Sequence, residues 1–364
     1  TWLHNTRTVN NAADSTHDTI EAMERMEFIV WIHSHMSPAL YWADVILPVA
    51  DQSMEDRRIG GGSPGYGGFT NITYVSGVVP PPGETRPAHW IYSELARRLG
   101  SGEQYNRYYT GTWEDWWETW DRYLQDEYER GAAELSREGG EAPRWEEFKR
   151  DCLITVEEFH DRPYHGFEEF IDHGKPLLTR SGKIELYNYV IADESGRGKL
   201  HVDDHRRLID NLPNDWRDLP PIPAYQKMYR GMDHADVSRF PLMLLTSFPR
   251  YRNHTAFWNV PWLRGDCYRH AIWMNVADAN ARDIVDGDLV RVFNDKGVAV
   301  IPAYVTSRLL PGVVVIHHGG AYQPDKEGVD WGCTPNIFLT DPESPVTAPH
   351  VTNLVQAERW HGRG

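Results

Sequence analysis

The C-terminal third of the chain alternates short apolar segments with tight turns, and this pattern restricts the folds open to it. Five segments have the composition of short strands: PLMLLTS, AIWMNV, LVRVFN, VAVIPAYV and VVVIHHGG. Asp286-Gly287 and Asp295-Lys296-Gly297 are turn sequences between them. Because closure removes exposed strand edges, such a series is typical of a small closed barrel. We predict a β-barrel over residues 236–364.

The first hundred residues follow another pattern, in which a helix alternates with short, almost wholly apolar strands. DSTHDTIEAMERM predicts a helix with Asp14 or Ser15 as its N-cap, and the apolar runs FIVWI and ADVILPVA follow it. Strands that are apolar on both faces indicate a parallel sheet covered by helices. Residues 1–100 are therefore predicted to form part of a Rossmann-like α/β layer.

Residues 101–235 predict a helical and irregular insertion, with WEDWWETW as an amphipathic packing helix. The glycine- and proline-rich stretch before it, GGGSPGYGGFTNITYVSGVVPPPGETRPAHW, predicts a long surface loop. It lacks the G-K-[ST] ending of a phosphate-binding loop. Within the insertion, LLTRSGKIELYNY favours a hairpin or strand edge around Ser181-Gly182.

Composition excludes several functions. The formal net charge of −16 argues against general nucleic-acid binding, which needs a basic face. No run of eighteen apolar residues exists to span a membrane. The three cysteines are far apart and form no C-x-x-C pair, so this chain alone provides neither a zinc ribbon nor an iron–sulfur cluster. The opening TWLHNTRTVNN has no initiator Met, so we expect a piece of a longer protein.

One segment is locally basic, although the chain as a whole is acidic. TSFPRYRNHTAFWNVPWLRG, residues 246–265, contains three arginines and a histidine among aromatic residues and has no carboxylate. Such a segment can bind a compact anion, since guanidinium groups bind phosphates through paired hydrogen bonds and aromatic side chains stack on flat rings. The alternative is that the arginines are surface residues paired with the chain's many carboxylates.

Five stretches, found in the same order along the chain as in a known family, resemble the molybdopterin oxidoreductases of the dimethyl sulfoxide reductase family. They are EFIVWIHSHMSPALYWADVILPVADQSMED, TRSGKIELY, WMNVADANARDIVDGDLVRVFNDKG, GAYQPDKEGVDWGCTPNIFLT and VTNLVQAERW. The resemblance reaches from near residue 1 to near residue 358. It implies the C-terminal portion of a catalytic subunit: the return half of a Rossmann-like domain, a helical insertion and a double-psi-type β-barrel.

The resemblance also implies a bis(molybdopterin guanine dinucleotide) cofactor carrying molybdenum or tungsten, with several residues of this chain around it. The loop after the first barrel strand would hold the pterin and pyrophosphate, and Asn275 and Asp278 would lie near a guanosine end. Helix capping beside Asn275 is the alternative for Asp278, and a turn or cap role is the alternative for Asp44. The full set of implied cofactor residues is Asp44, Glu55, Arg250, Arg252, His254, Thr255, Asn259, Asn275, Asp278, Asn336 and Gln356.

Departures from the family pattern bear on the chemistry. His33 stands where the family commonly has Asp, and the usual Thr-Ala-Arg is missing around Ala39 to Tyr41. Either this segment does not recognise guanine, or different residues recognise it. His317 and His318 end the strand VVVIHHGG and are candidates for proton transfer, with a structural role as the alternative. The family's metal ligand and any iron–sulfur motif lie upstream of the region matched here.

The function implied is therefore oxygen-atom or hydroxyl transfer on a small molecule. The implied partners are the upstream part of the same subunit and an iron–sulfur electron-transfer subunit. Two alternatives stay open: a hydroxyltransferase or hydratase of the same family with no net redox change, and a cofactor-free scaffold homologue. The departures suggest a specialised branch, such as enzymes that move or remove hydroxyl groups on polyphenols.

Overall fold

The computed structural model describes the chain in sixteen stretches. They are residues 2–4, 16–36, 38–50, 57–62, 71–77, 79–109, 111–137, 142–155, 167–187, 222, 232, 235–250, 254–255, 257–265, 269–339 and 353–362. The chain divides into two compact units. The barrel unit comprises Thr1–Trp31, His35–Ile46 and Glu185–Gly364, and the helical unit comprises Ile32–Ser34 and Leu47–Ile184. The first linear zone thus contributes residues to both units.

The N-terminal elements are short. They are β1 (Trp2–His4), α1 (Thr16–Glu24), β2 (Val30–His33), a 3-10 helix (Pro38–Trp42) and β3 (Val45–Pro48), with the strands in the sheet order β1-β2-β3. The predicted helix and both predicted strands are present, whereas the predicted caps Asp14 and Ser15 lie outside the described residues. In β2, Trp31, Ile32 and His33 are buried. A Rossmann-like arrangement of this layer stays a prediction.

The next elements run from β4 to α6. They are β4 (Arg58–Gly62), β5 (Asn71–Val75), α2 (Ala88–Arg98), α3 (Gly102–Tyr105), α4 (Trp116–Arg137), α5 (Trp145–Asp151), β6 (Leu153–Thr155) and α6 (Glu168–Ile171). The strands form an antiparallel sheet in the order β4-β5-β6. The prediction of one long loop is therefore wrong for β4 and β5. Asn71–Val75 is rich in β-branched and aromatic residues, which favour a strand, whereas the surrounding glycines and prolines favour a loop.

Helix α4 explains the tryptophan-rich sequence. Trp116, Trp120, Leu124 and Tyr128 recur every four residues, lie on one face and are all buried. Phe148 of α5 stacks on Tyr128 with ring centroids 4.5 Å apart. The predicted packing role of WEDWWETW is confirmed. Around Ser181-Gly182 the predicted turn is present, but the described residues to 187 form no strand beside it.

The C-terminal elements form the barrel. After a 3-10 helix (Ala235–Ser238) come β7 (Leu242–Ser247), α7 (Pro261–Gly265), β8 (Ile272–Asn275), α8 (Val276–Asn280), β9 (Leu289–Phe293), β10 (Val298–Thr306), β11 (Val313–His317), β12 (Val329–Asp330), a 3-10 helix (Pro335–Phe338) and β13 (Asn353–Arg359). The sheet order is β12-β10-β8-β11-β7-β13-β9, and β9 also pairs with β10. Six strands therefore close into a ring, with β12 on its edge, and the predicted closed barrel is confirmed.

The interior of the barrel is apolar. Inward residues of neighbouring strands, such as Ile272, Met274 and Ile316, are completely buried, as are Val290 and Val292 of β9. They alternate with more exposed neighbours along each strand, because successive side chains point to opposite faces. The double-psi form of the barrel stays a prediction.

Three glycines let backbone segments cross next to the barrel. A Cβ atom on Gly319 would lie 2.1 Å from the carbonyl oxygen of His254, and one on Gly320 would lie 2.4 Å from that of Cys333. A Cβ on Gly332 would lie 1.5 Å from the carbonyl oxygen of Ala321. Since real Cβ atoms never approach so closely, these crossings require glycine at all three positions.

We predict that Gly332→Ala destabilises the barrel unit by about 3 kcal/mol or more, because the added methyl group meets backbone, which cannot move aside alone. Chemical denaturation of the full-length subunit, monitored in this region by hydrogen exchange, measures the change. Gly328→Ala is the control: φ is +80° there, but no atom lies within 4 Å of the added Cβ. The control should lose only about 1–2 kcal/mol. Equal losses in the two variants would contradict the crowding argument.

Candidate functional site

The candidate histidines His254, His317 and His318 lie at the end of the barrel where β7 and β11 finish, and we call this the histidine end. The two strands are parallel neighbours, with Ser247 directly opposite His317. Their side chains meet, with 2.7 Å between Ser247 Oγ and His317 Nδ1. The ring of Trp273 contacts His317 edge-on, with centroids 5.3 Å apart. His317 is thus held on both sides by barrel residues.

The loop after β7 returns to the end of β11. The His254 and His318 rings stack with centroids 4.7 Å apart and planes within 12°. Phe248 contacts the His318 ring edge-on at 4.0 Å and is 67% exposed. Arg250 is exposed, whereas Thr255 is buried. The structure therefore brings His254, implied to bind the cofactor, into contact with His318, a candidate for proton transfer, while Arg250 and Thr255 lie in the same stretch of sequence as His254.

The backbone at this end is strained. Among the described residues, six non-glycine residues have positive φ, and three of them lie here: His254 at 54°, Phe257 at 63° and Cys333 at 48°. Each such residue costs on the order of 1–3 kcal/mol and persists only where its surroundings enforce it. Strain of this kind concentrates at functional sites, so it supports the assignment of a site to this loop.

Segments from the first zone pack beside the same loops within the barrel unit. The His35 ring contacts Phe257 with centroids 4.5 Å apart. Tyr322 contacts His17 of α1 through a 3.5 Å hydrogen bond and stacks near Trp42. Tyr322, in the chain between Gly319 and Thr334, therefore packs against first-zone residues that are distant from it in sequence.

Three other predicted residues, Asn275, Asp278 and Gln356, lie at the opposite end of the barrel. Asn275 caps α8: its Oδ1 accepts from the Ala277 N–H at 2.7 Å, and its Nδ2 donates to the Leu309 carbonyl at 2.6 Å. Asp278 Oδ2 accepts from the Gly312 N–H at 2.7 Å. The capping alternative considered for Asp278 is therefore realised by Asn275 instead.

Gln356 joins this second group. Its Oε1 accepts from the Arg282 guanidinium at 3.3 Å, and Arg282 also donates to the Asp278 carbonyl oxygen at 3.0 Å. The resemblance implied a cofactor contact for Gln356 and a place near a guanosine end for Asp278. The structure places the two residues in one hydrogen-bonded cluster, which we call the capped end.

The remaining predicted residues have separate positions. Asp44 Oδ2 accepts from the Ile29 N–H at 2.7 Å, which agrees with the turn role considered for it. Asn259 is exposed in the loop after β7, and Asn336 is half-buried in the 3-10 helix Pro335–Phe338. Arg252 and Glu55 lie outside the described residues.

Sequence reasoning missed Asp330, the best-connected carboxylate near the histidine end. It is completely buried, and its two oxygens accept from the backbone N–H groups of Gln323, Gly332 and Thr334 at 2.7–2.9 Å. Burial raises its pKa to about 6, although the hydrogen bonds from backbone N–H groups act in the opposite direction. The sequence signal was an aspartate just before Trp331-Gly332, which is typical of a carboxylate that organises a turn.

The described residues contain neither a metal-binding cluster nor a membrane-spanning helix. Across the described residues, no group of three or more His, Cys, Asp or Glu side chains is arranged to bind a metal ion. No helix in the described ranges has the length and apolar composition needed to cross a membrane.

Comparison with known proteins identifies the class of the barrel. Residues 242–349, which contain most of the barrel, match the molydopterin dinucleotide binding domain family. Over 350 residues the chain is 31% identical to the dimethyl sulfoxide reductase DmsA of Escherichia coli K12, an alignment that covers 94% of this chain and 39% of DmsA. It is 28% identical over 358 residues to trimethylamine-N-oxide reductase 1 of the same strain, covering 94% of this chain and 38% of that protein.

The chain is therefore homologous to the dimethyl sulfoxide and trimethylamine-N-oxide reductases, and the resemblance predicted from the sequence is confirmed. It spans about two fifths of the length of these relatives. Among solved structures, acetylene hydratase from Pelobacter acetylenicus superimposes with a TM-score of 0.64 at 18% identity, covering 95% of this chain and 42% of that one. This similarity concerns the fold alone.

Asp330 allows a test of the turn that it organises. The pKa of Asp330 in the folded protein, about 6, lies above the ordinary aspartate value of 3.8, so the contribution of Asp330 to stability is greatest at low pH and falls as the pH rises from about 4 to about 6. The loss is roughly 3 kcal/mol. Asp330→Asn should remove this dependence and also weaken the turn at pH 7, because an amide has one acceptor oxygen instead of two.

Hydrogen exchange of residues 320–334, corrected for the intrinsic pH dependence, measures both effects. Asp325→Asn is the matched control in the same segment and should keep the wild-type slope. A slope that survives in Asp330→Asn would show that another group causes it.

Proposed function

We propose that this chain is the cofactor-enclosing C-terminal part of a bis(molybdopterin guanine dinucleotide) oxidoreductase carrying molybdenum or tungsten, which transfers an oxygen atom or hydroxyl group on a small molecule. The observation that carries the proposal is the histidine end itself. The arginine- and aromatic-rich loop after β7 meets the end of β11 on a barrel whose family binds molydopterin dinucleotide.

The residue types present at this end fit such a cofactor. Phe248 and Arg250, two positions apart in the loop after β7, are both exposed, so the surface of this loop includes an aromatic ring and a guanidinium. A pyrophosphate accepts paired hydrogen bonds from guanidinium groups, and a pterin is a flat polar ring system. In our proposal Arg250 binds the pyrophosphate, with Arg252 beside it in sequence, and Thr255 supports the loop from its buried position.

His317 and His318 are the proposed proton carriers. The Ser247 hydroxyl fixes the His317 ring through Nδ1, and stacking on His254 fixes the orientation of His318. Fixed imidazoles can exchange a proton with a substrate near neutral pH. The metal centre, when bound, supplies the redox step, and this chain binds, orients and tunes it.

Among the family's reactions, we favour a reductive transfer over a hydration. The relatives that match by sequence at 28–31% identity are reductases, whereas the hydratase neighbour at 18% identity supports the fold only. The substrate class, including the polyphenols considered from the sequence, belongs to the proposal. So do the upstream part of the subunit and an iron–sulfur electron-transfer partner.

The test is metal and nucleotide analysis of the full-length protein, purified anaerobically, in wild-type and variant forms. Wild type should contain one molybdenum or tungsten and release about two GMP per metal after acid treatment, since each pterin of the proposed cofactor carries one guanosine. We expect Arg250→Gln to lower both values severalfold, because the pyrophosphate loses a charge-assisted contact.

Arg291→Gln is the matched control. Arg291 lies on β9 and forms an ion pair with Glu358 of β13 at 2.7 Å. Glu358 belongs to the part of β13 that pairs with β9, whereas residues 353–355 of β13 pair with β7. This variant should retain wild-type metal and GMP. Folded wild-type protein that never contains metal or GMP would refute the proposal and favour the scaffold alternative.

A further inference from the structure

The helical unit contains a cavity of about 350 Å³ that the proposed function does not use. Its lining comes from β4, β5, β6, α2 and α4 together with Ala142, all within that unit. The volume is near the lower end of the range for small-molecule sites, so it suits a ligand of one or two fused rings.

One wall of the cavity is a stack of aromatic rings. Trp120 stacks on His89 with centroids 4.3 Å apart and on Tyr123 with centroids 4.7 Å apart, the latter pair with planes within 8°. The indole N–H of Trp120 donates to the Arg57 carbonyl oxygen at 2.6 Å, which fixes the ring. A fixed aromatic wall favours a planar apolar ligand because such a surface matches its shape at little entropic cost.

A glycine keeps the cavity open. Gly131 lines it from within the 22-residue helix α4, where glycine costs about 1 kcal/mol relative to alanine. A Cβ atom at this position would meet no atom within 4 Å, so packing against the protein does not require glycine. Ala132 and Ala142 line the same cavity. Small residues beside an aromatic wall leave room for a ring.

One cation, Arg58, lines the cavity. Among the residues that the structure describes, no carboxylate pairs with the half-buried Arg58, which lines the cavity. The acidic lining residue, Glu127, is already engaged by Arg130 and by the Tyr123 hydroxyl. A guanidinium next to an aromatic wall is suited to a carboxylate on a planar ring.

We propose that this cavity binds a small aromatic carboxylate, with its ring against Trp120 and Tyr123 and its carboxylate on Arg58. The inference is independent of the proposed function, since every residue that carries it belongs to the helical unit. It assigns a ligand site to the part of the chain outside the matched barrel domain.

The experiment is isothermal titration of the full-length holoprotein with 2-naphthoate, with 2-naphthalenemethanol as the uncharged probe of the same ring system. We expect wild type to bind 2-naphthoate at least about tenfold more tightly than the alcohol, because a hydrogen bond to a charged group stabilises the complex by that amount. Arg58→Gln should abolish the difference. Arg122→Gln, an exposed arginine of α4 that pairs with Glu118 and does not line the cavity, should preserve it.

Two further variants separate binding from folding. Gly131→Ala should raise the melting temperature of the helical unit, since alanine favours the helix, and Gly131→Leu should fill the cavity and remove binding of both probes. Circular dichroism checks that each variant is folded. Equal affinity of wild type for the two probes, or the absence of 2-naphthoate binding, would overturn the proposal. Binding unchanged in Gly131→Leu would place the ligand elsewhere and overturn it too.

Discussion

The parallel pairing of β7 with β11 is the constraint on which the candidate site depends. These strands are neighbours over five residue pairs, from Met243 and Val313 to Ser247 and His317, although seventy positions separate them in sequence. Because parallel strands end at the same edge, the loop after β7 and the Gly319-Gly320 loop must begin side by side. Glycine at 319, 320 and 332 then lets the backbones cross without side chains between them. The stacking of His254 on His318 follows from that proximity.

Much of the barrel was predictable because its strands and turns are each specified by short stretches of sequence. Apolar strands separated by Asp-Gly turns identify a closed barrel without any knowledge of pairing, and the structure has the predicted strands from Leu242 to His317. Pairing across long separations was not predictable by this route. Asp330 before Trp331-Gly332 indicates a turn, but the sequence does not show that its carboxylate accepts from the N–H groups of Gln323 and Thr334, because that depends on how the turn folds. Likewise, β4 and β5 were hidden by their glycine-rich surroundings.

The candidate site shows the same division. Residue types in TSFPRYRNHTAFWN predicted an anion-binding loop, and the family resemblance predicted its place on the barrel. Neither predicted that Ser247 would hold His317, since the two residues meet only through the register of β7 and β11. The helical unit adds a related case. The sequence indicated that α4 would pack through its tryptophans, but only the fold reveals that Gly131 and Arg58 leave an aromatic cavity beside them.

The two ends of the barrel constrain how an extended cofactor can use this chain. β11 spans five residues, or roughly 16 Å at the usual rise of a strand, and the predicted cofactor residues lie beyond both of its ends. At the capped end, the Asn275 amide already caps α8 with its oxygen and bonds Leu309 with its nitrogen. A guanine there would have to compete with the helix cap for Asn275. The Asp278 carboxylate commits one oxygen to Gly312, and Arg282 links the Asp278 backbone carbonyl oxygen to the Gln356 amide oxygen. In the proposed cofactor site, the Asp278 carboxylate would therefore be better placed than Asn275 to recognise a polar ring edge. Asn275 would contribute indirectly, by fixing the start of the helix that carries Asp278.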